Sequence, residues 1–356
     1  MTLPQYPIQS GITLPKKSFP GGSKSRVSRA GDAVRAGTPS PEDLAVIDTW
    51  RAAHRNVLNT FQAILRTRTR STEIVVAQRH KRKRTIFDKL QRFPAMELAR
   101  MDDVAGCRLI FPDLDGLYRF RDNLHQAKFR HRLRNSVDKW NYIKRPKATG
   151  YRGIHDVYEY DVNSENGRLY EGLLLEVQYR TAAQHAWATC VEVVGFITHS
   201  QPKFQRGDYR YETIMAYASE LIARNAEQTT SCFPDMPNLE LIERFVALDK
   251  ELGLLKILRG LNTTSNDISS EKNVILMFSE GEQLQVKTYR RSPEALKALF
   301  SLEQENPGKD IVLVRADTSD DVRIAFRNYF SDATEFISLV DRACQSLGGV
   351  TLPQDK

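Results

Sequence analysis

Residues 173–181 constrain the fold of this chain more than any other segment, because their polarity alternates with the two-residue period of a β-strand. One face of such a strand is apolar, and the other carries Leu174, Glu176, Gln178 and Arg180. A strand of this kind separates a hydrophobic core from either solvent or a cleft. Because apolar helical patterns surround it, a strand at the wall of a cleft is favoured over one with a solvated outer face.

The other hydrophobic patterns switch between helical and strand periods. Ser40 and Pro41 are typical of a helix N-terminus, and they predict a helix that runs to about Arg66. Further helices are predicted at 85–92, 115–127, 182–195, 211–227, 239–261, 293–303 and 320–346, and strands at 108–111, 153–162, 170–180, 274–278, 284–289 and 310–314, with a hairpin turn at 163–167. The fold class is therefore α/β of the mixed α+β type, with a mixed sheet flanked by helices and a small C-terminal α+β domain.

Composition divides the chain into four predicted segments. Residues 1–38 are rich in Pro, Gly, Ser, Lys and Arg without a hydrophobic period, which predicts a disordered basic tail. An α/β domain at 39–230, a helical connector at 231–264 and a small acidic α+β domain at 265–356 follow. No segment has the apolar length of a membrane span, and the four cysteines form no C-x-x-C pair. We therefore expect a cytoplasmic protein without a membrane partner.

Charge is distributed unevenly along the chain. Residues 1–210 carry 36 Lys and Arg against 21 Asp and Glu, whereas residues 211–356 carry 16 against 23. A basic N-terminal part predicts an anionic partner such as nucleotide phosphates or nucleic acid. The acidic C-terminal part is either an independent unit or one that docks on the basic part; solvated surfaces of opposite sign are the alternative.

The first chemical motif is a set of cations and a hydroxyl, made of Arg79, Lys81, Thr85 and Lys89, of which the last three are four residues apart. A helix presents residues four apart on one face, and its N-terminus attracts anions. This spacing predicts a polyphosphate site. A solvated basic helix face or a nucleic-acid patch is the alternative.

Two carboxylates complete the requirements of metal-assisted phosphoryl transfer. Asp103 precedes the short strand that contains Arg108, and Glu176 lies on the polar face of the alternating strand. Oxygen ligands of this kind suit Mg²⁺, and one carboxylate can also deprotonate a hydroxyl. Asp103 alone is a weak signal, because Asp is also common in turns and caps.

The loop at 140–155 combines cations with aromatic rings. Lys147 suits a phosphate, and Tyr142 or Tyr151 beside a glycine turn suits a base that stacks on it. His155 ends the loop. The alternative is that both tyrosines are ordinary core or turn residues.

These segments, in this order and spacing, resemble the synthetase domain of the RelA/SpoT family over residues 45–215. The most specific matches are Tyr142-Ile-x-x-Pro-Lys-x-x-Gly-Tyr151-x-x-Ile-His155 and Glu176-Val-Gln-x-Arg-Thr181. The resemblance implies a nucleotidyltransferase-like fold and a pyrophosphokinase that moves the β,γ-pyrophosphate of ATP to the 3′-hydroxyl of GDP or GTP, making (p)ppGpp. It also implies a short family member that lacks the hydrolase domain and synthesises without degrading.

The resemblance also implies roles for individual residues. It places Arg79, Lys81, Thr85, Lys89 and Arg108 on ATP, Asp103 and Glu176 on Mg²⁺ and catalysis, and Tyr142, Lys147, Tyr151, His155 and Gln178 on the acceptor nucleotide. The chain departs from the family pattern at Thr85, Asn141, Thr149 and Gly153, where Ser, Asp, Asn and Ser are usual. Three of these departures lie in the acceptor loop, so the identity of the acceptor is the open point.

Two other functions stay open. One is a toxic synthetase that pyrophosphorylates the tRNA 3′ end or makes an adenosine analogue, held in check by its C-terminal domain, as in phage defence. Its tRNA contacts would be Arg66, Arg68, Arg70, Arg82, Lys83, Arg84, Arg130, Arg132 and Arg134. The other is a non-catalytic RNA- or nucleotide-binding module. Homo-oligomerisation and an external regulator of the C-terminal domain are further hypotheses.

Overall fold

The computed structural model describes residues 19–197, 208–259, 273–278, 285–306, 309–315 and 333–352. The first part of the predicted helix at 320–346 and the end of the predicted helix at 239–261 lie outside these residues, as does position 284. Where the structure describes the chain, the predicted elements are present with shifts of a few residues at their ends.

The elements follow one another as helices and strands along the chain. The helices are α1 (Lys24–Arg35), α2 (Pro41–Arg68), α3 (Lys83–Arg92), α4 (Leu114–His125), α5 (Glu165–Arg168), α6 (Ala182–Ile197), α7 (Tyr209–Glu227), α8 (Asn238–Leu252), α9 (Leu254–Arg259), α10 (Ser292–Glu305) and α11 (Thr334–Gly348). The strands are β1 (Val75–His80), β2 (Ala105–Phe111), β3 (Arg132–Leu133), β4 (Ile154–Glu159), β5 (Leu174–Thr181), β6 (Asn273–Phe278), β7 (Gln285–Tyr289) and β8 (Asp310–Arg315).

These strands form one mixed sheet in the order β3-β4-β5-β2-β1-β8-β6-β7. The pair of β2 and β5 is parallel, and the other neighbouring pairs are antiparallel. The mixed sheet with flanking helices confirms the predicted fold class. The strands of residues 273–315 do not form a sheet of their own, because β8 pairs directly with β1. The limits of the predicted domains stay predictions.

The apolar face of the sheet packs against α2 and α4. The helix α2 begins as predicted at Ser40, whose side chain accepts a hydrogen bond from the amide of Asp43 while the Asp43 carboxylate caps Ser40 in return. Fully buried α2 side chains such as Trp50 and Phe61 share a core with Leu109 of β2 and Val177 of β5. Burial of this apolar area fixes which face of β2 and β5 remains for polar residues.

A second core joins α6, α7, α8, α9 and α11. The C-terminal helix α11 buries Phe336, Leu339 and Val340 in it and packs on α7 and α8. The helix α10 covers β6 and β8 through Leu299 and its neighbours. The C-terminal segment is therefore in contact with the rest of the chain through α11 in the second core and through β8 in the sheet.

Three local predictions are corrected by the structure. Within the predicted disordered tail 1–38, α1 forms a capped helix that buries Val27 and Val34 against α2; these apolar residues make a stripe too short to stand out in a basic segment. Residues 163–167 are not a simple hairpin turn, because α5 occupies part of them. The long helix after residue 238 is divided at Gly253, which adopts a left-handed conformation with φ of 63°.

Across the described ranges of the chain, none of the helices has both the length and the apolar character required to cross a membrane.

Candidate active site

Strand register brings most of the predicted site residues to one face of the sheet. Gly106 of β2 lies between Arg79 of β1 and Glu176 of β5. Two residues further along, Arg108 pairs with Gln178, which in turn pairs with His155 of β4. Residues directly opposite on neighbouring strands share a face. The missing side chain at Gly106 therefore leaves open space between a cation and a carboxylate in the middle of this face.

Asp103 is the centre of a group of charges at one edge of this face. The Nζ of Lys81 lies 2.5 Å from Asp103 Oδ2, and the Nζ of Lys89 lies 3.0 Å from Asp103 Oδ1. Lys81 follows β1 and precedes α3, so it is not part of the helix that the spacing suggested. Its backbone amide is instead held by the carbonyl oxygen of Val104 at 2.9 Å. The turn before α3 and the turn before β2 thus bring the two lysines to one carboxylate.

Burial and charge shift the pKa values of this group in opposite directions. Burial lowers the pKa of Lys81 to about 8, against the attraction of Asp103. Burial alone would raise the pKa of Asp103, but Lys81 and Lys89 outweigh it and hold that pKa below its usual value. Asp102, 3.5 Å from Lys89 through its Oδ1, has a raised pKa because it is buried. An ionised Asp103 is consequently available to cations.

Three further predicted residues surround this group. Arg79 is near enough to Lys81 and Arg108 to lower the pKa of both. Burial is the main cause at Arg108, whose pKa falls to about 9. Thr85 is partly buried on α3, one turn before Lys89. Several cations around an open part of the sheet are suited to a polyphosphate.

Glu176 is held by two of the predicted acceptor residues. His155 Nδ1 lies 2.6 Å from Glu176 Oε1, and the amide of Gln178 donates to Glu176 Oε2 at 2.7 Å. Burial would raise the pKa of Glu176, but attraction to the charged His155 together with these hydrogen bonds lowers it strongly. Lys81 contributes to this effect and Asp103 feels the charge of Glu176, so the two carboxylates belong to one electrostatic group.

Tyr151 contacts His155 on the side of the imidazole away from Glu176. Its hydroxyl lies 2.5 Å from His155 Nε2 and accepts a hydrogen bond from Arg180 at 3.1 Å. Burial favours the neutral phenol, but Arg180 and His155 lower the pKa of Tyr151 to about 7. Burial likewise opposes the charge on His155, yet Tyr151 and Glu176 raise the pKa of the imidazole to about 9. The imidazole is therefore charged near neutral pH and lies between two anionic partners.

A spectroscopic titration tests this contact. Of the 13 tyrosines, Tyr151 is expected to ionise near pH 7, giving tyrosinate absorbance in the near ultraviolet that Tyr151→Phe lacks. His155→Gln should move this ionisation to higher pH, because the attraction of the imidazolium is lost. Tyr142→Phe is the matched control, since burial raises the pKa of Tyr142. A wild-type chain without an ionisation near neutral pH would contradict the contact.

Aromatic rings and a lysine lie next to the contacts of Glu176, His155 and Tyr151. The rings of Tyr142 and Tyr151 are 5.7 Å apart and nearly perpendicular, and Trp187 lies 6.5 Å from Tyr151. The exposed Lys147 places its Nζ 4.5 Å from the Tyr142 ring centroid and 5.3 Å from that of Tyr151. An aromatic surface with an accessible ammonium is suited to a base and its phosphates.

The loop that carries Tyr142 and Tyr151 contains a residue, Gly150, in a left-handed conformation that favours glycine. Gly150 has φ of 87°, and a Cβ there would come within 2.8 Å of Ser219 and 3.0 Å of Ala216 on α7. Lys147 accepts a hydrogen bond from the Gly150 amide through its carbonyl oxygen at 2.8 Å. The loop therefore packs closely against α7 at this turn.

Two of the four departures from the family pattern have a structural reason. Asn141 is buried, and its amide donates to Asp138 at 2.9 Å while its oxygen accepts from the amides of Ile143 and Lys144. An Asp at 141 would place a second carboxylate against Asp138. Gly153 has φ of 148°, and a Cβ there would lie 3.3 Å from the Tyr151 hydroxyl. Asn141 shapes the turn rather than contacting the rings, and Gly153 leaves room for Tyr151.

Asp103 and Glu176 are the carboxylates that fit Mg²⁺. Asp103 Oδ1 is buried, and the Lys89 ammonium lies 3.0 Å from it. Within the described part of the chain, no three His, Cys, Asp or Glu side chains form a metal-binding group. Mg²⁺ is commonly held by one or two carboxylates together with substrate phosphates and water. The two carboxylates present fit this mode.

The structure adds to the site three residues for which the sequence predicted no role there. Arg180 contacts Tyr151, Trp187 packs beside it, and Asp102 lies next to Lys89. Arg180 could have been found, because it shares the polar face of β5 with Glu176. Trp187 could not, because its helical pattern is that of an ordinary core residue.

Several cations suggested for a tRNA contact have acidic partners. Arg132 and Arg134 both pair with Glu159, and Arg130 pairs with Asp161. Lys83 lies 2.8 Å from Asp48. These pairs compensate part of the positive charge on which a phosphate backbone would depend.

Comparison with known proteins finds a family model that matches part of the chain. Residues 78–195 match the family model described as "Region found in RelA / SpoT proteins". All twelve predicted site residues lie within this region.

Similar curated proteins cover only parts of this chain. The GTP pyrophosphokinase YjbM of Bacillus subtilis is 32% identical over 107 residues, which are 30% of this chain and 48% of YjbM. The GTP pyrophosphokinase YwaC of the same organism is 34% identical over 24% of this chain and 39% of its own length. This chain thus spans less than half the length of either relative.

Among solved structures, the small alarmone synthetase 1 of Bacillus subtilis bound to its product pppGpp is 25% identical. The likeness covers 49% of this chain and 89% of that one, with a TM-score of 0.40.

Proposed function

We infer that this chain, whose residues 78–195 match the RelA/SpoT family model, transfers the β,γ-pyrophosphate of ATP to the 3′-hydroxyl of GDP or GTP. The observation that carries the proposal is the position of Glu176, which lies between the Asp103 group of lysines and the aromatic loop of Tyr151. One carboxylate thus faces both a polyphosphate site and a base-stacking site. The names of the two Bacillus subtilis relatives support the same reaction.

The donor half of the site consists of the cations on β1, α3 and β2. Arg79, Lys81, Lys89 and Arg108 would bind the ATP phosphates, with the Thr85 hydroxyl beside them on α3. Positive charge here offsets the negative charge that develops as the bond between the α- and β-phosphates breaks and AMP leaves. The open space at Gly106 is where the β-phosphorus would meet the acceptor.

The acceptor half consists of the loop before β4. Tyr151 and Tyr142 would hold the base by stacking, and Lys147 would contact the acceptor phosphates. His155 and Gln178 hold the Glu176 carboxylate by the hydrogen bonds described above. Their effect is to fix the direction of its oxygens before the acceptor binds.

Glu176 would accept the proton of the 3′-hydroxyl as the oxygen of that hydroxyl bonds to the β-phosphorus. Its lowered pKa keeps it ionised, and the charged His155 stabilises that form. Bound Mg²⁺ would be held by Asp103 and Glu176, and it would neutralise charge on the transferred phosphates.

Transfer of label from ATP tests the function directly. ATP labelled at the γ-phosphate is incubated with the full chain and Mg²⁺, and GDP, GTP, ATP and bulk tRNA are offered separately. Label is expected on GDP and GTP, with one AMP released per transfer. Label on tRNA alone or on ATP alone would overturn the guanine-nucleotide acceptor and establish one of the other synthetase activities. No label on any acceptor, with nucleotide binding intact, would indicate a binding module.

A further inference from the structure

A buried arginine links the donor half of the site to the C-terminal segment. Arg51 of α2 has no exposed area, and its Nε donates to the carbonyl oxygen of Lys81 at 2.8 Å. The backbone carbonyl of Arg51 is in turn 2.6 Å from the Nε2 of His80, the last residue of β1. Arg51 therefore holds both the end of β1 and the residue that contacts Asp103.

The carboxylate partner of Arg51 is Glu303, which is 252 residues away in sequence on α10. Both guanidinium NH groups donate to it, at 2.6 Å and 2.9 Å, in a two-fold arrangement that fixes the plane of the guanidinium. Glu303 Oε1 also lies 3.4 Å from the backbone amide of Lys83, the first residue of α3. A carboxylate at this end of α3 is favoured by the helix dipole.

Two further contacts join α2 and β1 to the C-terminal segment. Arg55, one turn after Arg51 on α2 and also buried, donates to the side-chain oxygen of Asn273 on β6 at 3.1 Å. In the sheet, Arg79 of β1 pairs with Val314 of β8. Strand β1 and helix α3, which carry donor cations, and helix α2 are thus each in contact with the C-terminal segment.

We propose that Glu303 is a positioning residue for the donor half of the site, acting through Arg51 on Lys81 and directly on the start of α3. The inference rests on the function proposed above. It gives residues 273–315 a part in building the ATP site. Glu303 contacts no reacting atom; it orders the backbone from which Lys81 and Lys89 extend.

The expected consequence is a selective loss of ATP affinity. Without the carboxylate, Arg51 keeps its contact with Lys81 but loses the partner that fixes its guanidinium, and α3 loses an acceptor at its first turn. The lysines then shift relative to Asp103. The acceptor half lies on the other side of β2, on β4, β5 and the loop before β4, and it has no contact with Glu303 among the described residues, so acceptor binding should not change.

The test compares two full-length variants on the same helix. Glu303→Gln keeps the size of the side chain and removes its charge, and Glu294→Gln is the matched control, because Glu294 is exposed near the start of α10. Binding of a non-hydrolysable ATP analogue and of GDP is measured by calorimetry, which does not require transfer. Steady-state assays give KM for each nucleotide.

We expect the dissociation constant of the ATP analogue and the KM for ATP to rise about tenfold in Glu303→Gln, which is about 1.4 kcal/mol. A change of this size is within the range found for residues that act on a site without touching its ligand. The values for GDP and those of Glu294→Gln should match wild type. Glu303→Asp, which keeps the charge on a shorter side chain, should restore part of the ATP affinity.

Unchanged ATP binding in a folded Glu303→Gln chain would overturn the proposal. An equal loss of affinity for ATP and for GDP, accompanied by a lower Tm, would overturn it as well. If Glu303→Gln does not fold, Glu303→Asp carries the same test with a smaller expected shift. A wild-type chain that binds ATP but transfers nothing would count against the proposed function, while the binding comparison would still decide the role of Glu303.

Discussion

Glu176→Gln is expected to lower the rate of pyrophosphate transfer by at least about 10³-fold, within the range found when a general base is removed. The amide keeps the size of the side chain and can still accept a hydrogen bond from Gln178. It cannot take the proton of the 3′-hydroxyl, and it is a poorer ligand for Mg²⁺. The pKa of His155 should also fall, because the attraction of the Glu176 carboxylate contributes to its raised value.

The measurement is the initial rate of label transfer to GDP, together with circular dichroism and ATP-analogue binding for each chain. Glu165→Gln is the matched control, since Glu165 is an exposed carboxylate on α5. Full activity in Glu176→Gln would refute the assignment of the catalytic carboxylate. A loss of secondary structure would instead mean that Glu176 serves the fold.

Removing residues 260–356 is expected to unfold the rest of the chain. Arg51 would lose Glu303, a change that costs about 3–5 kcal/mol for a buried ion pair deprived of one partner. Loss of α11 would uncover apolar surface on α7 and α8, at about 1.5–3 kcal/mol for each large side chain that had been fully buried. Because a domain is stable by only about 5–15 kcal/mol, these losses together exceed what the fragment can sustain.

The shortened chain is compared with the full chain by solubility, thermal melting and label transfer. We expect an insoluble or non-cooperative fragment without activity, because β1 would become an unpaired edge strand as well. This result would contradict a C-terminal segment that acts only as a brake. A fragment that melts cooperatively and transfers faster than the full chain would contradict the expectation instead and would support the brake.

Strand β5 shows how much of the site could be predicted from the sequence. Alternation along residues 174–181 was enough to place Glu176 and Gln178 on the polar face and Val177 in the core, as the structure confirms. Four-residue spacing predicts Lys81, Thr85 and Lys89 on one helix face, which is wrong for Lys81, because Lys81 precedes α3 and meets Lys89 through Asp103. The helix α1 was missed, because a few apolar residues in a basic, glycine-containing segment carry little signal.

Local sequence patterns are sufficient to predict which side of each strand and helix is apolar, where helices begin, and which cations, carboxylates and rings are available for chemistry. The residue spacing within each helix or strand fixes its apolar face, because side chains that repeat with the period of the element are buried together. The position of β8 beside β1 and the contact between Glu303 and Arg51 are evident from the three-dimensional fold alone. No local pattern encodes such contacts, because they depend on the order in which distant strands pair in one sheet.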